Sequence, residues 1–132
     1  MTAYLSLGTN LGDKHLNLSL ALDLITEKLG ALSAVSSIYE TLPCGFESPN
    51  NFLNMAVKIE TPLTPLELLD ATQAIERQLG RQTKTTDHYQ DRIIDIDIIL
   101  YEDWIFVSDR LIVPHPKYRE RDFVMQPLSE LM

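Results

Sequence analysis

The chain has 132 residues, 45% hydrophobic and 23% charged, ordinary globular figures that exclude a disordered or collagen-like chain and give one domain, residues 1–132. Folding at this length buries about two-thirds of the surface of the unfolded chain, and a lone cysteine, Cys44, excludes an internal disulfide and a cysteine-cluster metal site. The net charge of −8 argues against bulk nucleic-acid or anionic-membrane binding.

Tyr4-Leu5-Ser6-Leu7, closed by Gly8, reads as a strand. Asp13 can cap a helix whose Leu16, Leu20, Leu24 and Ile25 recur at helical spacing and which ends at Lys28 and Gly30. Between them, Gly8-Thr9-Asn10-Leu11-Gly12-Asp13-Lys14 is one residue short of a Walker phosphate loop and lacks its Gly-Lys-Ser/Thr ending, so its glycines are expected to shape the strand-to-helix turn. Leu32 to Tyr39 reads as a second strand, and 42–51, rich in Pro, Gly and Asn, as a loop. A third strand spans Phe52 to Glu60. Thr64-Pro65-Leu66-Glu67 is a capping box with proline at the first helical position, opening a helix with Leu68, Ala71, Ile75 and Leu79 inward and Gly80 at its end. Residues 81–91 are polar and lack periodicity. Ile93 to Tyr101 is the strongest strand, and a less regular tail with Pro114, Pro116 and Pro127 follows. The order β-α-β-β-α-β predicts an α+β, ferredoxin-like antiparallel sheet with its helices on one face and a short irregular C-terminal extension. No run of about 18 apolar residues crosses a membrane. The first eleven residues lack a basic n-region, so no signal peptide is expected and a reducing cytoplasm is the default location.

Ile93-Ile94-Asp95-Ile96-Asp97-Ile98-Ile99-Leu100 is the stretch with most chemistry. Alternation sends Ile94, Ile96, Ile98 and Leu100 to one face and Asp95 and Asp97 together to the other, roughly 7 Å apart at strand rise. Two carboxylates side by side repel each other, and desolvating them is costly unless cations arrive. Hard oxygen ligands of this kind suit one or two Mg²⁺ ions with substrate phosphates completing the shell; the alternative is a half-exposed face whose aspartates meet solvent. Eight of the eleven basic residues, six of them arginines, lie between 77 and 121. Arg81 and Lys84 flank the polar segment and Arg92 precedes the aspartate strand. Arginine forks match phosphate oxygens, and carboxylates, metal and arginines together are the parts of phosphoryl transfer; the alternative is a surface loop of scattered charge. Phe52 and Asn54 share a face of an extended strand, offering a stacking plane beside an amide. As a lone aromatic each of Phe52 and Phe123 reads first as core, His115 as a loop group between prolines, and Cys44 as inert.

Together these residues resemble the 6-hydroxymethyl-7,8-dihydropterin pyrophosphokinase family of the folate pathway. The matching pieces are Leu7 to Asp13, Ser37-Ile38-Tyr39-Glu40-Thr41 with Phe52-Leu53-Asn54, Gln73-Ala74-Ile75-Glu76, Gly80-Arg81, Arg92 to Ile98, and Pro114-His115-Pro116 through Arg121-Asp122-Phe123 to Pro127-Leu128. They run in family order over nearly the whole chain. The resemblance implies transfer of the β,γ-pyrophosphate of ATP to the pterin hydroxymethyl group, releasing AMP, by a Mg²⁺-dependent enzyme. Asp95 and Asp97 fall on its two-magnesium ligands. Thr41, Asn54 and the backbone of Leu42 and Cys44 fall on pterin hydrogen-bonding positions, and Phe52 and Phe123 on the stacking positions. Gln73, Glu76, Arg92, Ile98, Arg110, His115 and Arg121 fall on nucleotide contacts. Lys84 aligns with a second loop arginine and Tyr89 with a loop tryptophan, and Arg81 and Arg92 would stabilise the transition state. ATP and the pterin are the expected partners of a cytoplasmic monomer that binds no nucleic acid and no membrane. A non-catalytic small-molecule sensor on the same fold would not need both aspartates and the arginines, and an RNA-binding sheet would need an aromatic motif that is missing here.

Overall fold

The structure, a computed structural model, describes residues 1–42, 50–80 and 93–132; Cys44, Arg81, Lys84, Tyr89 and Arg92 lie outside the described residues. The apolar alternation that begins at Ala3 carries β1 over Thr2–Thr9, straight through Gly8. β1 pairs antiparallel with β4 (Phe52–Glu60) on one side and with β5 (Asp95–Tyr101) on the other. β2 (Ala31–Val35) and β3 (Tyr39–Thr41) follow one another along the outer side of β4. The resulting order is β2-β4-β1-β5, with α1 (Lys14–Lys28) before β2 and α2 (Pro65–Gln78) before β5. This is the ferredoxin-like βαββαβ arrangement expected from the sequence.

The second expected strand divides in two. Ser36 donates its backbone N–H to Ala56 O at 2.9 Å, while its hydroxyl accepts from Ala56 N at 2.8 Å. A side-chain oxygen thus stands in for the next main-chain partner, and the strand jogs before resuming at Tyr39.

Both helix starts follow the sequence signals. Asp13 accepts from Leu16 N at 3.1 Å, and Thr64 and Glu67 complete the reciprocal capping box. The turn before α1 is made by Gly12, with φ of +70°. Gly8 is not in that turn: it lies in the ladder, opposite Asn54 and Asp95. The inward face of α1 also differs from expectation. Leu18, Ala21 and Ile25 are buried, whereas Leu16 and Leu20 are 50% and 39% exposed. These helices pack on one face of the sheet, where Leu5, Leu7, Val57, Ile59 and Ile96 meet Leu18, Ile25, Leu68 and Ile75.

The tail covers part of the other face. After the short hairpin β6 (Phe106–Val107) and β7 (Ile112–Val113) comes a 3-10 turn at Tyr118–Glu120, then α3 (Asp122–Ser129). Val124 and Leu128 of α3 bury against Ala56, Ile99 and Tyr118. Pro127 lies inside α3, a position that disfavours helix and hid this element from sequence patterning. β5 contributes to both cores because it bulges. Leu5 pairs with Ile98 but Tyr4 with Leu100, so Ile99 is the extra residue. The bulge turns Leu100, expected beside Ile98, toward the α3 side with Tyr4, and Tyr101 takes the place on the helix side.

The end of α3 is tied to the strand junction. Glu130 accepts from both Ser37 N and Ser37 Oγ at 3.0 Å, and from the Tyr39 hydroxyl. The Tyr39 hydrogen bond, then that from the Ser37 backbone, holds the Glu130 carboxyl below its ordinary range. A carboxylate depressed in the folded state stabilises above its unfolded pKa and loses that contribution as pH falls through the folded value. Glu130→Gln is therefore expected to lower stability near neutrality, to converge with wild type at low pH, and so to flatten the acid limb of a stability-against-pH curve. Urea titrations between pH 3 and 7 check this, and parallel acid limbs for the two proteins would contradict it.

Candidate active site

Strand register assembles the site on the sheet face that α3 leaves open. One row crosses four strands: Tyr39 on β3, Asn54 on β4, Gly8 on β1 and Asp95 on β5. The next row places Ala56, Ser6 and Asp97 side by side. Asp95 and Asp97 therefore share a face, as the period-two reading requires, and both are half-buried. Phe52, two residues before Asn54, stands opposite Thr41. Asn54 is 4% exposed, and its Nδ2 donates to Thr41 Oγ1 at 2.6 Å. The expected set Thr41, Phe52 and Asn54 is thus brought together, with Leu42 next to it and exposed.

Gly8 is the residue whose role the sequence reading missed. A Cβ there would lie 3.2 Å from Asn54 Oδ1 and 3.6 Å from Phe52 Cδ1. Glycine weakens a strand interior and often marks a place where a ligand approaches the backbone. Here Gly8 is buried, and the side chains of Asn54 and Phe52 come so close to it that a larger residue would push on both. A glycine standing in the period-two pattern between buried residues was the available signal.

The turn after β1 grips the start of β4. Asn10 Nδ2 donates to Asn50 O at 3.2 Å and Lys14 Nζ to Asn51 O at 3.1 Å. Asn17 Nδ2 in turn donates to Leu11 O at 2.8 Å and Thr9 Oγ1 at 3.1 Å. These contacts fix the backbone just ahead of Phe52.

The remaining expected residues lie on α2 and in the tail, and of these Glu76 and His115 reach β5. Asp70, Gln73 and Glu76 recur at helical spacing on α2, so they share a side of it. Asp70 pairs with Arg110 at 2.5 Å, an exposed ion pair, and Gln73 is half-buried. Glu76 is buried and accepts from Ile96 N at 2.8 Å. His115 donates its backbone N–H to Ile99 O at 2.9 Å, which sets the Pro-His-Pro segment beside the bulge of β5. Its Nδ1 accepts from Lys117 N at 3.4 Å. At the head of α3 the Arg121 guanidinium lies 5.8 Å from the centre of the Phe123 ring, within cation–π range. Ile98 buries its side chain in the helix-side core, so any ligand contact there falls to its main chain.

Among the described residues no three His, Cys, Asp or Glu side chains converge on a metal position. The described residues thus form no all-protein cage of these ligands, but Asp95 and Asp97 supply two hard oxygen donors side by side on one sheet face. That donor set fits Mg²⁺, which dehydrates reluctantly and is commonly held by one or two carboxylates and substrate phosphates. No helix among the described residues is long and apolar enough to cross a membrane.

Fold and site together define a small α+β domain of ferredoxin-like type with an amide and an aromatic ring on one side of a buried glycine and paired carboxylates on the other. Residues 4–132 match the family 7,8-dihydro-6-hydroxymethylpterin-pyrophosphokinase (HPPK). The chain is 50% identical over 130 residues to the 2-amino-4-hydroxy-6-hydroxymethyldihydropteridine pyrophosphokinase of Porphyromonas gingivalis, covering 97% of this chain and 88% of that one. It is 45% identical to the enzyme of the same name from Bacillus subtilis, with 98% and 77% covered. Among solved structures, an HPPK-DHPS in complex with substrates superposes with a TM-score of 0.76 at 17% identity, over 98% of this chain and 40% of that one. The wild-type Plasmodium falciparum HPPK-DHPS superposes with a TM-score of 0.67 at 20% identity, over 98% and 33%; at these identities the likeness is one of fold. The chain belongs to the HPPK family, and it is an enzyme of the pyrophosphokinase class.

Proposed function

We propose that this chain transfers the β,γ-pyrophosphate of ATP to the hydroxymethyl group of 6-hydroxymethyl-7,8-dihydropterin, giving AMP and the pterin diphosphate in tetrahydrofolate synthesis. The pterin hydroxyl oxygen bonds to the β-phosphorus, the bond from that phosphorus to the oxygen bridging to the α-phosphate breaks, and the hydroxyl proton is lost. The row Asn54, Gly8, Asp95 carries this reading. It sets a buried amide two strand spacings, roughly 10 Å, from a carboxylate, with a glycine between.

In this arrangement Asn54, Thr41 and the backbone of Leu42 and Cys44 bind the polar edge of the pterin, and Phe52 and Phe123 take its two faces. Asp95 and Asp97 would hold Mg²⁺, two ions in this reading, which when bound neutralises phosphate charge. Gln73, Lys84, Tyr89, Ile98, Arg110, His115 and Arg121 contact the nucleotide. Arg81 and Arg92 oppose the charge that develops on the transferring group. The lone cysteine supports a cytoplasmic location.

The test is incubation with ATP, Mg²⁺ and the pterin alcohol, followed by phosphorus NMR. AMP and the pterin diphosphate are expected in equal amounts; ADP, or unchanged ATP, would overturn the reading. Asn54→Ala is expected to raise the KM for the pterin by about tenfold, one buried polar contact, and that for ATP by less than about twofold. An equal rise for both substrates would remove Asn54 from pterin recognition.

A further inference from the structure

α2 sends one charged side chain into the interior. Glu76 is 3% exposed, and a carboxylate withdrawn from water needs donors that compensate its desolvation. One donor is the backbone N–H of Ile96, 2.8 Å from Oε2. Ile96 stands between Asp95 and Asp97 on β5, the end strand of the sheet.

In an antiparallel ladder, successive residues turn their main-chain groups alternately toward and away from the neighbouring strand. Asp95 and Asp97, opposite Gly8 and Ser6, turn theirs toward β1. Ile96 turns its amide outward, and Glu76 provides the acceptor that a further strand would otherwise give. The three residues 95–97 are thus held from alternate sides. A strand held on one side only can pucker, and the separation of side chains two residues apart follows its pleat.

We infer that Glu76 is a positioning residue for the aspartate pair: acting through the main chain of Ile96, it fixes the spacing and common direction of Asp95 and Asp97 toward the divalent cation. The inference rests on the pyrophosphokinase reading and gives Glu76 a task other than the nucleotide contact expected from the resemblance. Glu76 is not a third ligand, because no three such side chains converge among the described residues. Its hydrogen bond, rather than its charge, carries the effect.

Three variants separate these. Glu76→Gln keeps a carbonyl that can accept from Ile96 and removes the charge. Glu76→Asp keeps the charge and withdraws it by one methylene. Glu76→Met keeps the length and removes the acceptor. The affinity for Mn²⁺ alone, measured by electron paramagnetic resonance, is the readout, with AMP production measured alongside. Glu76→Gln is expected to bind Mn²⁺ within about threefold of wild type, whereas Glu76→Asp and Glu76→Met lose about tenfold or more, the usual cost of an outer-shell partner. If Glu76→Gln loses as much as Glu76→Asp, or if neither loses affinity, the inference is overturned. Should Glu76→Met fail to fold, the order of Gln and Asp decides. Wild-type protein that binds Mn²⁺ yet makes no AMP defeats the pyrophosphokinase reading alone, since the order of the variants is read without turnover.

Discussion

Asp97→Ala is expected to lower turnover by at least about 10²-fold, because a carboxylate that holds a charge-neutralising cation contributes several kcal/mol in the transition state. The fold is expected to survive. Asp97 lies opposite Ser6 and is half-buried, and it is a member of neither apolar core. Steady-state AMP production and a thermal melt of the same sample check both halves. Activity within a few-fold of wild type would count heavily against Asp97 as a metal ligand.

The second large effect falls at the opposite pole of function. Gly30→Ala is expected to destabilise the protein by about 3 kcal/mol or more, combining backbone strain with overpacking. Gly30 has φ of +153°, and a Cβ there would lie 2.0 Å from Glu60 O, 2.9 Å from Glu60 C and 3.0 Å from Thr61 Cα. All three are main-chain atoms, fixed where β4 ends and β2 pairs with it, so no side chain can swing aside. The melting temperature is expected to fall by roughly 10 °C for a domain of this size. Turnover per folded molecule at low temperature is expected to be unchanged, because this junction contributes nothing to the site. A melting temperature near that of wild type would show that the chain passes Glu60 differently.

Much of this arrangement is legible in the residues. Asp13, Thr64-Pro65 and Gly80 mark helix ends through local hydrogen bonds and backbone geometry, which neighbouring residues decide. Phe52 with Asn54, and Asp95 with Asp97, share faces because strand side chains alternate with a period of two. What escaped depends on partners distant in the chain or on signals that conflict. Leucines at 16, 18, 20, 22 and 24 surround α1, so spacing does not select the inward face; packing on the sheet selects Leu18, Ala21 and Ile25. Pro127 speaks against the helix that Val124 and Leu128 stabilise by burial. The bulge at Ile99 changes which side Leu100 meets, and nothing in a run of isoleucines announces it. One partner of Glu76 is a backbone amide, which residue type does not reveal.

The contacts along β5 also bear on how the protein behaves in a crowded solution. A sheet ends in two rims of main-chain donors and acceptors, and an intact rim invites strands of other chains to add on, the first step of aggregation. On the β5 rim, the Ile96 N–H is taken by Glu76 and the Ile99 carbonyl by His115 N. On the opposite rim, β2 and β3 have five and three residues and are parted at Ser36. A stray strand thus meets two engaged positions on one side and a broken ladder on the other, so the bonds that shape the aspartate-bearing strand also guard the sheet against recruitment into fibres.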